Sequence, residues 1–154
     1  MKFQVRILLF ALFVIVSAAC ASPTPAAASD WQTYTNSEAS FSIHYPSTWK
    51  MEALPDQNSG ALHGVSLTGA EGGVELYWGT GLGGGCTSEA IQTIKVAQGE
   101  LNTCYGKTAD GIERWENISK NLSTTSFSAR AFTADTASSS HDLVLQVIST
   151  LSFP

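Results

Sequence analysis

Turn-forming residues cut the chain between Trp31 and Thr133 into segments of about five to ten residues, the usual length of β-strands and shorter than most helices. Apolar and polar side chains alternate within them. Phe41, Ile43 and Tyr45 alternate with Ser42 and His44, the two-residue period of a strand with one buried face. Pro46 ends that run because it has no amide hydrogen for the ladder. Leu62 to Thr68 and Val74 to Trp78 read as a hairpin across Gly69-Ala70-Glu71-Gly72-Gly73, with Val65, Leu67, Val74, Leu76 and Trp78 on alternating positions. Further strands are expected at Trp31 to Thr35, Trp49 to Ala53, Ile91 to Ala97, Glu100 to Tyr105, Gly111 to Ser119 and Thr124 to Thr133. The period changes near the end. Leu143, Val144, Val147, Ile148 and Leu151 share one helical face, which predicts a C-terminal helix from His141 to about Thr150, with Ser138, Ser139 and Ser140 as capping residues. The fold class expected is α+β, an antiparallel sheet with that helix packed on it, and 154 residues supply one core.

The N-terminus has the three parts of an export signal: Lys2 and Arg6 as the positive region, Ile7 to Val16 as an apolar run, and small residues at Ser17-Ala18-Ala19. As a helix, Ile7 to Ala19 spans roughly 20 Å, short of a ~30 Å hydrocarbon core, so a removable signal is a better reading than a permanent span. Val16-Ser17-Ala18-Ala19-Cys20 resembles the lipobox of bacterial lipoproteins, and the resemblance implies a diacylated Cys20 that anchors the mature chain in a membrane. The family most often carries Leu where this chain has Ser17, and an ordinary signal-peptidase cut near Ala19 or Ala21 is the alternative. Residues 1–19 are thus expected to be a signal peptide and 20–29 the lipidated Cys and a flexible tether. Ala21-Ser22-Pro23-Thr24-Pro25-Ala26-Ala27-Ala28-Ser29 carries no charged or large apolar side chain. Residues 30–154 form the single domain.

Loss of Lys2 and Arg6 leaves six basic against thirteen acidic residues, a net charge of −7, with no run of Lys or Arg. Nucleic-acid partners and anionic headgroups are disfavoured on that account. Setting Cys20 aside leaves Cys86 and Cys104, an even number in an exported chain, and the pair is expected to form a disulfide. In the chain-entropy model such a loop stabilises the fold by about 3 kcal/mol.

Several spellings fail when their mechanism is asked for. Gly79-Thr80-Gly81-Leu82-Gly83-Gly84 matches G-x-G-x-x-G, but Gly85-Cys86-Thr87-Ser88 opens no helix to meet a pyrophosphate. The loop still follows Tyr77 and Trp78, and Tyr77, Trp78, Gly81 and Gly84 are the candidate residues for a ligand or partner. Gly106-Lys107-Thr108 lacks the first glycine of a phosphate loop, since position 101 is Leu101, and Thr68 stands where a nucleophile elbow at Ser66 needs Gly. His44, His63 and His141 have no metal-ligand spacing, so no metal and no cofactor is expected. Glu113 and Glu116 near Trp115 point to opposite faces if they lie on a strand. Trp31, Trp49, Trp78 and Trp115 are expected in the core or on a sheet face.

Phe41-Ser42-Ile43-His44-Tyr45-Pro46-Ser47-Thr48-Trp49 resembles the opening of PsbP-like domains, and Val147-Ile148-Ser149-Thr150-Leu151-Ser152-Phe153 is similar to their closing helix and tail. The resemblance implies an antiparallel sheet flanked by helices, an α/β/α sandwich, in domains that serve mainly as accessory or assembly proteins. The expected function is therefore a lipid-anchored, extracytoplasmic binding or accessory domain of the cell envelope, not an enzyme. Its partner would be an envelope protein or a small ligand, met by an apolar or aromatic patch around Trp78 and the Gly79 to Gly85 loop. The alternative is an extracytoplasmic, glycan-directed hydrolase whose site is assembled from residues distant in sequence.

Overall fold

The alternating segments become nine strands, β1 (Trp31–Asn36), β2 (Phe41–Pro46), β3 (Lys50–Gln57), β4 (Leu62–Thr68), β5 (Gly72–Gly79), β6 (Ile91–Val96), β7 (Gly99–Lys107), β8 (Glu113–Asn121) and β9 (Ser126–Thr133), followed by α1 (Ser138–Ser149). The computed structural model describes residues 30–57, 60–82, 84–86, 90–122 and 125–154. The expected signal over 1–19, Cys20 and the tether over 21–29 lie outside the described residues, as do Gly83, Thr87, Ser88 and Thr124. No helix among the described residues is long and apolar enough to cross a membrane.

β1 and β2 make a separate hairpin, and the other seven strands form one antiparallel sheet in the order β3-β4-β5-β9-β8-β7-β6. Two meanders, β3 to β5 and β6 to β9, are joined where β9 pairs with β5 along its whole length, from Gly72 opposite Thr133 to Gly79 opposite Ser126. The connection from β5 to β6 must therefore cross four inter-strand spacings, about 19 Å, to reach the far edge. That crossing belongs to the Gly-rich loop.

One face of the sheet is the core. Val65, Leu67, Val74, Leu76, Trp78, Ile94, Trp115, Ile118, Phe127, Ala129 and Ala131 are buried on it. Phe41, Ile43 and Tyr45 of the hairpin and Val144, Val147 and Ile148 of α1 cover them, because the period-two and period-3.6 apolar stripes meet there. Phe127 sits at the centre, with its ring 4.8 Å from Phe41 and 5.0 Å from Phe153 in edge-on contacts. Paired bonds between Ser42 and Ser152, each N–H donating to the other's carbonyl at 2.9 Å, tie the segment after α1 to the hairpin.

The PsbP-like α/β/α sandwich is corrected by this architecture. Among the described residues 58% lie in strands and 12% are helical, and α1 is their one α-helix. The reason lies on the second face, where Glu75, Tyr77, Arg114, Glu116 and Arg130 point outward from the central strands: charged and polar side chains give a second helical layer nothing to bury. The expected serine caps also need correction. α1 begins at Ser138 with Ala137 as N-cap and no side-chain cap; Asp135 takes over, its carboxylate accepting the Ala137 N–H at 3.0 Å.

The Phe127→Ala substitution should cost about 3–5 kcal/mol, because the cavity lies among rings that cannot collapse into it. Urea denaturation of the two proteins measures the difference.

Candidate functional site

The outward face holds a continuous trough. A basin of about 310 Å³ is lined by Tyr77, Gly81, Leu82, Glu116, Asn117 and Arg130 among others, a second of about 260 Å³ shares Glu116 and Arg130 with it, and a third of about 120 Å³ shares Leu82 and Asn117. Its floor is the junction of the two meanders. Glu75 on β5 faces Arg130 on β9 as a direct cross-strand pair, and the guanidinium Nε donates to Glu75 Oε2. A second guanidinium N–H donates to the Tyr77 hydroxyl at 2.8 Å, and that hydroxyl donates to Glu75 Oε2 at 2.7 Å, closing a triangle. Burial and the neighbouring Glu75 raise the Tyr77 pKa, so the hydroxyl keeps its proton. Burial disfavours the Arg130 charge, but Glu75 outweighs it and raises the Arg130 pKa.

Its roof is the loop after β5. Gly79 opens the loop at φ +130°, with a Cβ position only 2.1 Å from the Ala61 carbonyl oxygen, so no other residue fits. Further along, Gly84 lies against Asn117, where an added Cβ would stand 2.5 Å from the amide oxygen. Asn117 occupies a bulge in β8 at φ +55° and donates its side-chain N–H to Cys104 Sγ at 3.2 Å. Cys104 is disulfide-bonded to Cys86, with 5.2 Å between their Cα atoms, which pins the loop to β7.

Of the loop residues singled out in the sequence, Tyr77 and Gly81 line the main basin and Gly84 the third. Trp78 is a correction: it is 8% exposed on the opposite face, packs against Phe41, and donates its indole N–H to Glu38 at 3.0 Å. Among the described residues no apolar patch surrounds it, and the exposed large hydrophobics there are Met51 and Ile91, on opposite edge strands. Glu75, Asn117 and Arg130 are not among the residues the sequence singled out, and Glu116, weighed there only as a partner of Glu113, lines the trough without it. Charged residues in the outward register of strands flanked by Val74 and Leu76, or by Ala129 and Ala131, were the available signal.

A second polar cluster lies on the core side, where β8 meets α1. The Glu113 carboxylate accepts from Lys107 Nζ and the Tyr105 hydroxyl, each at 2.7 Å, and from His141 Nδ1, while its own N–H donates to Thr133 Oγ1 at 3.1 Å. Burial alone would raise its pKa, but these partners hold it down at about 2. Glu116 is on the other face, so the two carboxylates are apart, as strand geometry requires. His63 pairs with Asp56 and His44 with Thr33. No group of three or more His, Cys, Asp or Glu side chains among the described residues is placed to hold a metal ion.

Neither a protein-family model nor a curated protein matches the chain. A crystal structure of a protein from Bacteroides thetaiotaomicron VPI-5482, at 1.50 Å resolution, is similar with a TM-score of 0.44 and 15% identity over 80% of this chain. The chain spans about half, 48%, of that protein's length. Likeness at that level assigns no fold family and no activity.

Two measurements check the site. Reducing Cys86–Cys104 should speed amide exchange in the loop and at Asn117 while leaving the core strands protected, and Gly84→Ala should act the same way without reductant. Because the folded Glu113 pKa lies below its ordinary 4.5, its stabilisation is complete above about 4.5 and is lost as pH falls toward 2. Glu113→Gln should therefore lower stability at pH 7 by about 2 kcal/mol and flatten the acid limb in that window, read by urea titrations at several pH values.

Proposed function

We propose that the chain is an exported, lipid-tethered binding domain of the bacterial cell envelope, and that the trough on its open sheet face takes a polar ligand or an exposed segment of an envelope partner. What supports export is the tripartite N-terminus ending at Cys20, together with the Cys86–Cys104 disulfide, a bond that persists in oxidising compartments. The observation that carries the binding role is the trough itself. Guanidinium, carboxylate, phenol and amide groups converge on one concave surface, and a cross-linked loop holds its roof in place before any ligand arrives, which lowers the ordering cost of association.

A glycan-directed hydrolase is the second reading, because Glu75 and Glu116 border the same basin. Glu75 is already engaged by Arg130 in a direct cross-strand ion pair, an arrangement that suits anchoring better than proton donation to a leaving group.

Purification from native membranes and intact mass measurement test the anchor. The expected mass is that of residues 20–154 plus acyl groups, and an unacylated chain starting elsewhere overturns it. For the trough, a panel of peptidoglycan fragments, oligosaccharides and short peptides is titrated while resonances of Tyr77, Asn117 and Arg130 are followed. Binding is expected to weaken at least about tenfold in Arg130→Ala, the scale of a lost charge-assisted hydrogen bond. Turnover of a glycan that Glu116→Gln abolishes would instead establish the hydrolase, and a silent panel would count against both readings.

A further inference from the structure

Four charged side chains border the basin of about 260 Å³ in the trough: Glu75, Arg114, Glu116 and Arg130. Two of them satisfy each other, since Arg130 Nε donates to Glu75 across the β5–β9 pair. The other two do not pair. Arg114 and Glu116 stand two residues apart on β8, on either side of the buried Trp115, so both project from the open face. Among the described residues neither side chain makes a hydrogen bond or an ion pair, with the other or with any third group; the ion pairs there are His63–Asp56, Lys107–Glu113, Arg130–Glu75 and His141–Glu113. Arg114 attracts Asp110, and Glu116 attracts Arg130, only at longer range. One free guanidinium and one free carboxylate thus share a basin whose formal charges cancel.

An anion entering this basin gains Arg114 but meets Glu116, and a cation gains Glu116 but meets Arg114. An uncharged ligand leaves both without a counter-charge. A small molecule that carries the two signs on neighbouring atoms satisfies both at once, its carboxylate accepting from the guanidinium fork and its ammonium donating to the carboxylate. Residues two apart on a strand are roughly 6.6 Å apart, and side chains as long as Arg and Glu can converge on a group between them. The rest of the lining, Ala131 and Phe132, is apolar. Phe132 stands opposite Arg114 in the β8–β9 register and leans over Gly73, its Cζ 2.9 Å from where a Cβ would stand. A cavity of about 150 Å³ holds a benzene ring, so the basin has room for the head group and one apolar side chain. We propose that this end of the trough binds a free α-amino acid with an apolar side chain, its carboxylate on Arg114, its ammonium on Glu116 and its side chain on Phe132. The proposal rests on the reading of the trough as a ligand site and gives that ligand its chemical class.

The test titrates the purified protein at pH 6.5 with leucine, phenylalanine, N-acetylleucine, which keeps only the carboxylate, and leucinamide, which keeps only the ammonium. The Arg114 Nε–H and Phe132 ring resonances are observed. Leucine should shift both saturably and bind at least about tenfold more tightly than either derivative, the scale of one charge-assisted hydrogen bond. Arg114→Gln should bring leucine down to the affinity of leucinamide, and Glu116→Gln should bring it down to that of N-acetylleucine. Both side chains reach solvent, so the urea midpoints of the variants should match that of the parent. Absence of a saturable shift with both leucine and phenylalanine overturns the proposal, as do derivatives that bind as tightly as leucine. If peptides or oligosaccharides of the wider panel still shift Tyr77 and Asn117, the trough stands as a ligand site and only its amino-acid assignment falls; if that panel is silent too, both fall.

Discussion

The pairing of β5 with β9 is the interaction on which the rest of this structure depends. Each meander alone is a short run of antiparallel strands with one apolar face. Joined along Gly72 to Gly79, they become a single seven-stranded surface wide enough to be covered by both the β1–β2 hairpin and α1. Phe127 on β9 is where both covers meet, through Phe41 on one side and Phe153 on the other. The same pairing decides where the chain goes next. With β9 beside β5, the strand that follows β5 in sequence is displaced to the far edge, and the loop between them has to travel across the open face.

That displacement gives the Gly-rich segment a structural meaning. Its glycines serve close approach: Gly79 passes the Ala61 carbonyl and Gly84 rests on Asn117. The disulfide fixes the far end to β7, so the roof of the trough is set by topology and by a covalent bond together. The two faces of the sheet then carry opposite chemistry. One presents the Glu75–Arg130–Tyr77 triangle to solvent; the other holds Glu113 among Tyr105, Lys107 and His141, where it joins α1 to β8.

Local patterns in the sequence carried most of the strands, because alternation over five to eight residues is a property of each segment alone. Phe41, Ile43 and Tyr45, or Val74 and Leu76, identify their own buried face. The α/β/α expectation failed for a related reason: the motifs behind it cover β2 with the turn after it and the end of α1 with its tail, and neither says what covers the sheet between them. Trp78 was misjudged by its nearness to the loop. One residue of register separates it from Tyr77, and on a strand one residue is the whole difference between core and solvent.

The sequence by itself determined the short alternating strands, the amphipathic segment that became α1, the pairing of Cys86 with Cys104 and the acidic balance of the chain, since each follows from spacing, composition or a count of cysteines. Tertiary structure alone decided that β9 lies against β5, that Glu75 meets Arg130 from 55 residues away, and that Glu113 meets His141 across the edge of the core. The physical reason is that strand order and register are set by contacts between distant segments competing to bury one shared face. No local window of residues contains that competition.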